Sequence, residues 1–280
     1  MAKTLRESMG SNPSPIGRMV LASAIHPDHW QQQPPRPVLR VWIPKPGTAE
    51  RRPLAILSML DRCRQALAKM ALEPEWEAQF EPHSYGYRPG RGAHDAIRAI
   101  LLAIEHHPTF VLVADIEGAF DHINQAVLLD KLQTYPALRQ AINAWLKAGI
   151  RDGGAYVPSE TGIPQGGALS PLLMNVALHG METAIIDSDT GNPAVESPLA
   201  IRYADDFLVF HSNLEEIQKA AARVENWLKQ IGLGLNSRKT YITHTLSSYQ
   251  GQLGFDFLGF TIRQYPPEKS EPEQLLTCKT

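Results

Sequence analysis

Two apolar runs, Leu199-Ala200-Ile201 and Phe207-Leu208-Val209-Phe210, stand on either side of Tyr203-Ala204-Asp205-Asp206. Short apolar runs broken by a turn predict two strands of a hairpin, here with two carboxylates at the tip. Like charges side by side repel, and each resists losing its water, so such a pair calls for a cation. A third acid, Asp115, ends another apolar run, Phe110-Val111-Leu112-Val113-Ala114. Three carboxylates at the ends of apolar strands suggest a Mg²⁺ site for phosphoryl transfer. The ordinary alternative is a plain hairpin turn, where Asp is common. An isolated Ala-Asp-Asp favours that alternative; the rest of the chain argues against it.

An apolar fraction of 43% over 280 residues is enough for a real core and excludes wholesale disorder. The two cysteines, Cys63 and Cys278, are far apart and in no metal-ligand spacing. That excludes a disulfide framework and suits a reducing, cytoplasmic setting. No segment is long and apolar enough to span a bilayer, so no membrane partner is expected. The net charge of −2 hides an asymmetry: residues 1–100 hold 14 Lys+Arg against 9 Asp+Glu, and residues 101–280 hold 13 against 20. A basic front beside an acidic back fits a polyanion-binding part next to a metal-binding one, or ordinary surface variation.

Residues 1–35 are polar and rich in Pro, Gln and Ser, and predict an arm with a short helix near Met19 to Ile25. Val38 to Ile43 and Arg52 to Ile56 predict a β-hairpin around Pro44-Lys45-Pro46-Gly47. Helical spacing marks Leu60 to Met70, Ile97 to Ile104 and Leu138 to Leu146, the last stopping near Gly149. Leu172 to Ile186 predicts one buried helix. The stripe Leu214, Ile217, Ala221, Val224, Leu228, Ile231 predicts another, with Asn213 as N-cap and Glu216 placed for a capping box. Tyr241 to Thr243 and Phe255 to Ile262 predict further strands. From residue 110 the order is β-α-β-β-α-β with an insertion. The expected class is α+β, with an antiparallel sheet of split β-α-β type carrying helices on one face.

Several residues outside the acid hairpin can do chemistry. Phe120 follows Asp115 in Asp115-Ile116-Glu117-Gly118-Ala119-Phe120. A ring there could pack under a nucleotide sugar and exclude a 2′-hydroxyl, the group that separates ribose from deoxyribose; core packing is the usual fate of a Phe. In Pro164-Gln165-Gly166-Gly167-Ala168-Leu169-Ser170-Pro171 the glycines allow close backbone approach, Gln165 can hydrogen-bond a sugar or base, and Ser170 can cap the next helix. By itself that segment is equally a loop entering a buried helix. Lys45, Arg51 and Arg52 can hold phosphates or merely solvate a hairpin. Lys239, in Leu235-Asn236-Ser237-Arg238-Lys239-Thr240, can protonate a leaving pyrophosphate or lie idle on the surface.

In chain order these pieces resemble a reverse transcriptase of the group II intron maturase type, over about Pro37 to Arg263. The resemblance is carried by Arg40-Val41-Trp42-Ile43-Pro44-Lys45-Pro46, Arg52-Pro53-Leu54, Ser84-Tyr85-Gly86-Tyr87-Arg88-Pro89-Gly90-Arg91, Pro164-Gln165-Gly166-Gly167, Tyr203-Ala204-Asp205-Asp206 and Phe257-Leu258-Gly259-Phe260. It implies the fingers and palm of a right-hand polymerase: fingers over 36–109, a palm-centred core with a fingers-associated helical insertion over 110–264, and a tail over 265–280. It implies two Mg²⁺ ions, with Asp115, Asp205 and the Ile116 carbonyl as ligands and Asp206 near the primer end. Lys45 and Arg52 would hold the triphosphate, Phe120 would be the sugar gate, and Ala119 and Gln165 would touch the nucleotide. Lys239 would be the acid. An RNA template, a DNA primer and a dNTP are the implied partners. The family's helical thumb is expected after the Phe-Leu-Gly-Phe strand, where few residues remain, so a second chain supplying it joins the expected partners. A different class of function stays open: an RNA-binding splicing cofactor, or a remnant with little polymerase activity of its own.

Overall fold

The computed structural model describes residues 34–44, 51–186, 197–266 and 276–279. The expected Met19–Ile25 helix, Lys45 and most of the arm and tail lie outside them. In chain order the elements are β1 (Val38–Pro44), β2 (Arg51–Ile56), α1 (Met59–Glu77), α2 (Ala93–Ile104), β3 (Phe110–Asp115), α3 (Ala119–His122), α4 (Gln125–Leu132), α5 (Pro136–Leu146), β4 (Ile150–Asp152) and β5 (Ala155–Val157). They continue with α6 (Ser170–Leu178), α7 (Met181–Ile185), β6 (Leu199–Tyr203), β7 (Asp206–His211), α8 (Leu214–Gln230), β8 (Tyr241–His244), β9 (Phe255–Phe257), β10 (Phe260–Gln264) and β11 (Leu276–Lys279). Two compact units divide them: one from Met1–Gln79 and Phe120–Ala177, the other from Phe80–Ala119 and Leu178–Thr280.

The second unit holds the sheet β6-β7-β3-β8, antiparallel at every step. β7 lies between β3 and β6, which are joined through helices, so the expected split β-α-β arrangement is present. Its strands are apolar almost throughout because they are buried: Val111, Leu112, Ile201, Phe207, Leu208 and Val209 are at most 2% exposed. The α2 stripe Ala96, Ile97, Ile100, Ile104 shares a core with Val111, Ile201, Leu208 and Phe210, and with Phe255, Phe257 and Ile262. Helix α8 packs against β3 and β7 and buries Ile217, Val224 and Leu228 of the expected stripe; Ala220, outside that stripe, is buried as well, while Leu214 and Ala221 are only half-buried.

The first unit carries the sheet β2-β1-β4-β5. β1 and β2 form the expected basic hairpin, in register from Leu39 opposite Ile56 to Pro44 opposite Arg51. The β4–β5 hairpin was not legible in the sequence; it turns on Gly153 and Gly154, both at positive φ, the pair that a two-residue loop needs. Helix α1 starts at Ser58, whose Oγ accepts the Asp61 N–H at 3.1 Å.

Three local expectations change. The single helix over Leu172–Ile186 is two, α6 and α7, parted at Gly180, whose φ of +90° cannot continue a right-handed helix. The strand over Phe255–Ile262 is the hairpin β9–β10, with Leu258 (φ +52°) and Gly259 (φ +83°) at its turn. At α8, Asn213 caps the Glu215 N–H at 2.7 Å, but no box closes: the Asn213 N–H goes to His211 Nδ1 at 2.9 Å, and Glu216 pairs with Lys219 at 2.7 Å. At α6 the Ser170 hydroxyl donates to the Pro164 carbonyl at 2.7 Å. Among the described residues no helix is long and apolar enough to cross a membrane.

Candidate active site

Register assembles the acids. Along β3 and β7, Asp115 stands directly opposite Asp206. Along β6 and β7, Tyr203 stands opposite Asp206, so Ala204 and Asp205 alone form the loop. Ala204 sits at φ +58°, a left-handed conformation usually left to glycine in such turns. The Ile116 N–H donates to the Asp205 carbonyl at 3.3 Å, tying the end of β3 to the hairpin tip. On the other side, the Asp115 carbonyl accepts the Asn236 N–H at 2.8 Å, and the Glu117 N–H donates to the Gly234 carbonyl at 2.9 Å. Asp115, Ile116, Asp205 and Asp206 therefore meet at one end of one sheet, with the buried Ala119 following on α3.

Lys239 is brought there too. Its ammonium lies 3.1 Å from Asp115 Oδ2, and Asn236 Nδ2 donates to the same oxygen at 3.1 Å. Asn236 was quoted in the sequence but given no role; only tertiary pairing of its loop with β3 reveals one. Burial raises the Asp206 pKa most, and the charge of Asp205 and the carboxylate of Asp115 push it further, to about 7. Burial, then the Asp115 charge, also raises Asp205, opposed by a backbone hydrogen bond and by Lys239. Burial pulls the Lys239 ammonium down, but the hydrogen bond to Asp115 and the three acids outweigh it and raise its pKa. One ammonium, 63% exposed, does not neutralise three acids.

The donor set suits a hard divalent ion. Every donor is oxygen, and the acids repel one another until a cation arrives. Among the described residues no three His, Cys, Asp or Glu side chains stand in ready metal-ligand geometry. Two carboxylates and a carbonyl still fit Mg²⁺, which takes few protein ligands and completes its shell with water and substrate phosphates.

The first unit holds the other expected nucleotide contacts. Phe120 and Gln165 line one cavity of about 330 Å³, together with Arg40, Trp42, Leu54 and Ile163. The Phe120 carbonyl accepts the Ile163 N–H at 2.6 Å, and the Gln165 carbonyl accepts the Ala55 N–H at 2.6 Å. The glycines beside Gln165 are there for protein, on the geometry seen. A Cβ on Gly166 would stand 2.5 Å from the Ala55 carbonyl, and one on Gly167 would stand 2.6 Å from Gln65 Oε1. Arg52 is exposed on β2 opposite Ile43 and does not line the cavity; Arg51 lies opposite Pro44.

An antiparallel split β-α-β sheet with one acid closing its first strand and two on the adjoining hairpin defines the palm of a template-dependent nucleic-acid polymerase. Solved structures share the fold: apo telomerase from Candida tropicalis matches with a TM-score of 0.61 at 15% identity, over 81% of this chain and 53% of that one. The model of the reverse transcriptase (RNA-dependent DNA polymerase) family matches residues 43–262, and the chain belongs to that family. It is 32% identical to Protein YkfC of Escherichia coli over 86% of this chain and 69% of that protein. It is 31% identical to the group II intron-encoded protein LtrA of Lactococcus lactis over 68% of this chain, though that stretch is only 32% of LtrA. The group II intron resemblance drawn from the sequence is borne out, as is the right-hand polymerase fold. The family's chemistry is divalent-metal-dependent.

Proposed function

We infer that this chain is an RNA-directed DNA polymerase of group II intron type, adding a dNTP to a DNA primer on an RNA template. The observation that carries this is the meeting of Asp115, Asp205 and Asp206, far apart in sequence, at one sheet end. Asp115, Asp205 and the Ile116 carbonyl would hold two Mg²⁺ ions. The Ile116 N–H already points at Asp205, and in an extended strand the carbonyl of the same residue points to the same side. Bound there, the ions would lower the pKa of the primer 3′-hydroxyl and neutralise charge on the triphosphate.

The chain's own groups do the rest. The primer 3′-hydroxyl gives up its proton to solvent, O3′ bonds to the α-phosphorus, and the bond from that phosphorus to the pyrophosphate oxygen breaks. Lys239, at the site and protonated, donates a proton to the departing oxygen. Asp206 borders the primer end. Phe120 excludes the 2′-hydroxyl, Gln165 and Ala119 contact the nucleotide, and Arg52 with Lys45 holds the phosphates. A cytoplasmic location goes with this reading.

The test is primer extension on an RNA template with Mg²⁺ and dNTPs, comparing the wild type with Asp205→Ala. Extension lost in the variant supports the polymerase. No extension in either protein, with RNA binding equal in both, favours an RNA-binding splicing role and refutes it.

A further inference from the structure

Beside the acid hairpin lies a buried charge cluster to which the polymerase mechanism above gives no part. Arg202, the second residue before the turn, is 0% exposed. Its backbone is committed to the segment at 83–85: its N–H donates to the His83 carbonyl and its carbonyl accepts the Tyr85 N–H, both at 2.9 Å. Its guanidinium Nη1 donates to the Ala204 carbonyl at 3.2 Å. A buried cation needs counter-charge. Burial draws the Arg202 pKa down to about 10, and the charges of Glu81 and Glu182 oppose that, so the group stays cationic at neutral pH.

Those two acids are themselves held. Glu81 Oε1 accepts the Glu182 N–H at 2.9 Å. The Glu182 carboxylate takes the His83 N–H at 3.1 Å and meets His83 Nδ1 at 3.2 Å. Arg88 Nη1 donates to the carbonyls of Glu81 and Ser84, each at 2.9 Å. The loop this fixes lies against the turn. A Cβ on the buried Gly86 would stand 3.0 Å from the Tyr203 carbonyl carbon, 3.1 Å from Ala204 Cα, and closer still to Ala204 N. Those atoms are backbone, so the turn or the loop would have to move.

The bond to the Ala204 carbonyl matters because that carbonyl belongs to the peptide joining Ala204 to Asp205. Its direction fixes how Asp205 leaves the turn. Ala204 is at φ +58°, costly for any residue with a Cβ, so the turn needs an outside hold. We propose that Arg202 is a positioning residue for the acid pair: its buried guanidinium pins the Ala204 carbonyl and so aims the Asp205 carboxylate, while Gly86 leaves room for the turn. This rests on the polymerase reading of Asp205.

The experiment uses the full chain with Arg202→Met, which keeps bulk but removes the donor, and Gly86→Ala, which disturbs the same turn without touching charge. Mn²⁺ binding is followed by the electron paramagnetic resonance signal of the free ion, and kcat and KM for dNTP come from primer extension. Misplacement of a reacting group by about 1 Å costs on the order of 100-fold in rate. The expected result in both variants is a kcat lowered about 10- to 100-fold, weaker Mn²⁺ binding, and a KM for dNTP within about twofold of wild type. If Arg202→Met does not fold, Gly86→Ala decides on the same readouts. Variants that melt lower but, once folded, bind Mn²⁺ and turn over as the wild type does make the cluster merely structural and overturn the proposal. A wild-type chain that binds Mn²⁺ but extends no primer overturns the polymerase reading, and the Mn²⁺ comparison then decides the positioning role alone.

Discussion

Asp206→Asn should make the metal-free protein more stable at neutral pH, and by an amount that depends on pH. The folded structure lifts Asp206 from the ordinary aspartate value of 3.8 to about 7. A carboxyl whose pKa rises on folding favours the folded state while protonated. That contribution is complete below about pH 4 and is lost as pH climbs to about 7. The gap between the two values corresponds to about 4 kcal/mol at most. Asp206 is half-buried, so solvent screening reduces this to about 1–2 kcal/mol. Asn cannot ionise, yet its amide can still donate to Asp115. Urea denaturation in a chelator should therefore show wild type and variant nearly equal at pH 4.5, diverging to about 1–2 kcal/mol at pH 8, or about 3–6 °C in Tm. Excess Mg²⁺ should stabilise the wild type more than the variant and close the gap. Two stability curves running parallel across the whole pH range would refute the electrostatic account of the site.

Two further outcomes test the first unit. Phe120→Ala should raise ribonucleotide incorporation relative to dNTP by about tenfold or more in a competition assay; an unchanged ratio removes Phe120 from the gate role. Gly166→Ala, with φ at +124° and the Ala55 carbonyl 2.5 Å from the new Cβ, should cost about 1–3 kcal/mol in urea denaturation, and a loss below about 0.5 kcal/mol would show that the loop is free to move off β2.

The elements that bring the acids together were legible because their signals are local. Apolar runs ending in Asp115 and flanking Asp205-Asp206 specify strands and a tip within a few residues of one another. Helix α8 was legible for the same reason, its stripe running the length of the helix and placing Ile217, Val224 and Leu228 in the core, although Ala220 rather than Ala221 is buried beside them. What the sequence hides is pairing across distance. Asn236 reaches Asp115 only because residues 234–236 lie along the end of β3, and no local pattern announces that. Arg202 sits in an apolar strand and nothing local marks it, yet it is wholly buried, within the charge fields of Glu81 and Glu182 from elsewhere in the chain. The breaks at Gly180 and Leu258-Gly259 show a second limit. Apolar residues stand on either side of both, and a positive φ marks each break.

Each unit is stitched from two separated stretches of the chain. During synthesis β3 leaves the ribosome long before β7 and β8, the neighbours that flank it in the finished sheet. Until they arrive, an apolar strand ending in a carboxylate must wait with both edges open. Nascent chains of this kind call for chaperone cover or slow, late sheet closure. Nor can the gene be divided at one point to give two self-sufficient halves: any single cut leaves at least one unit without part of its own chain.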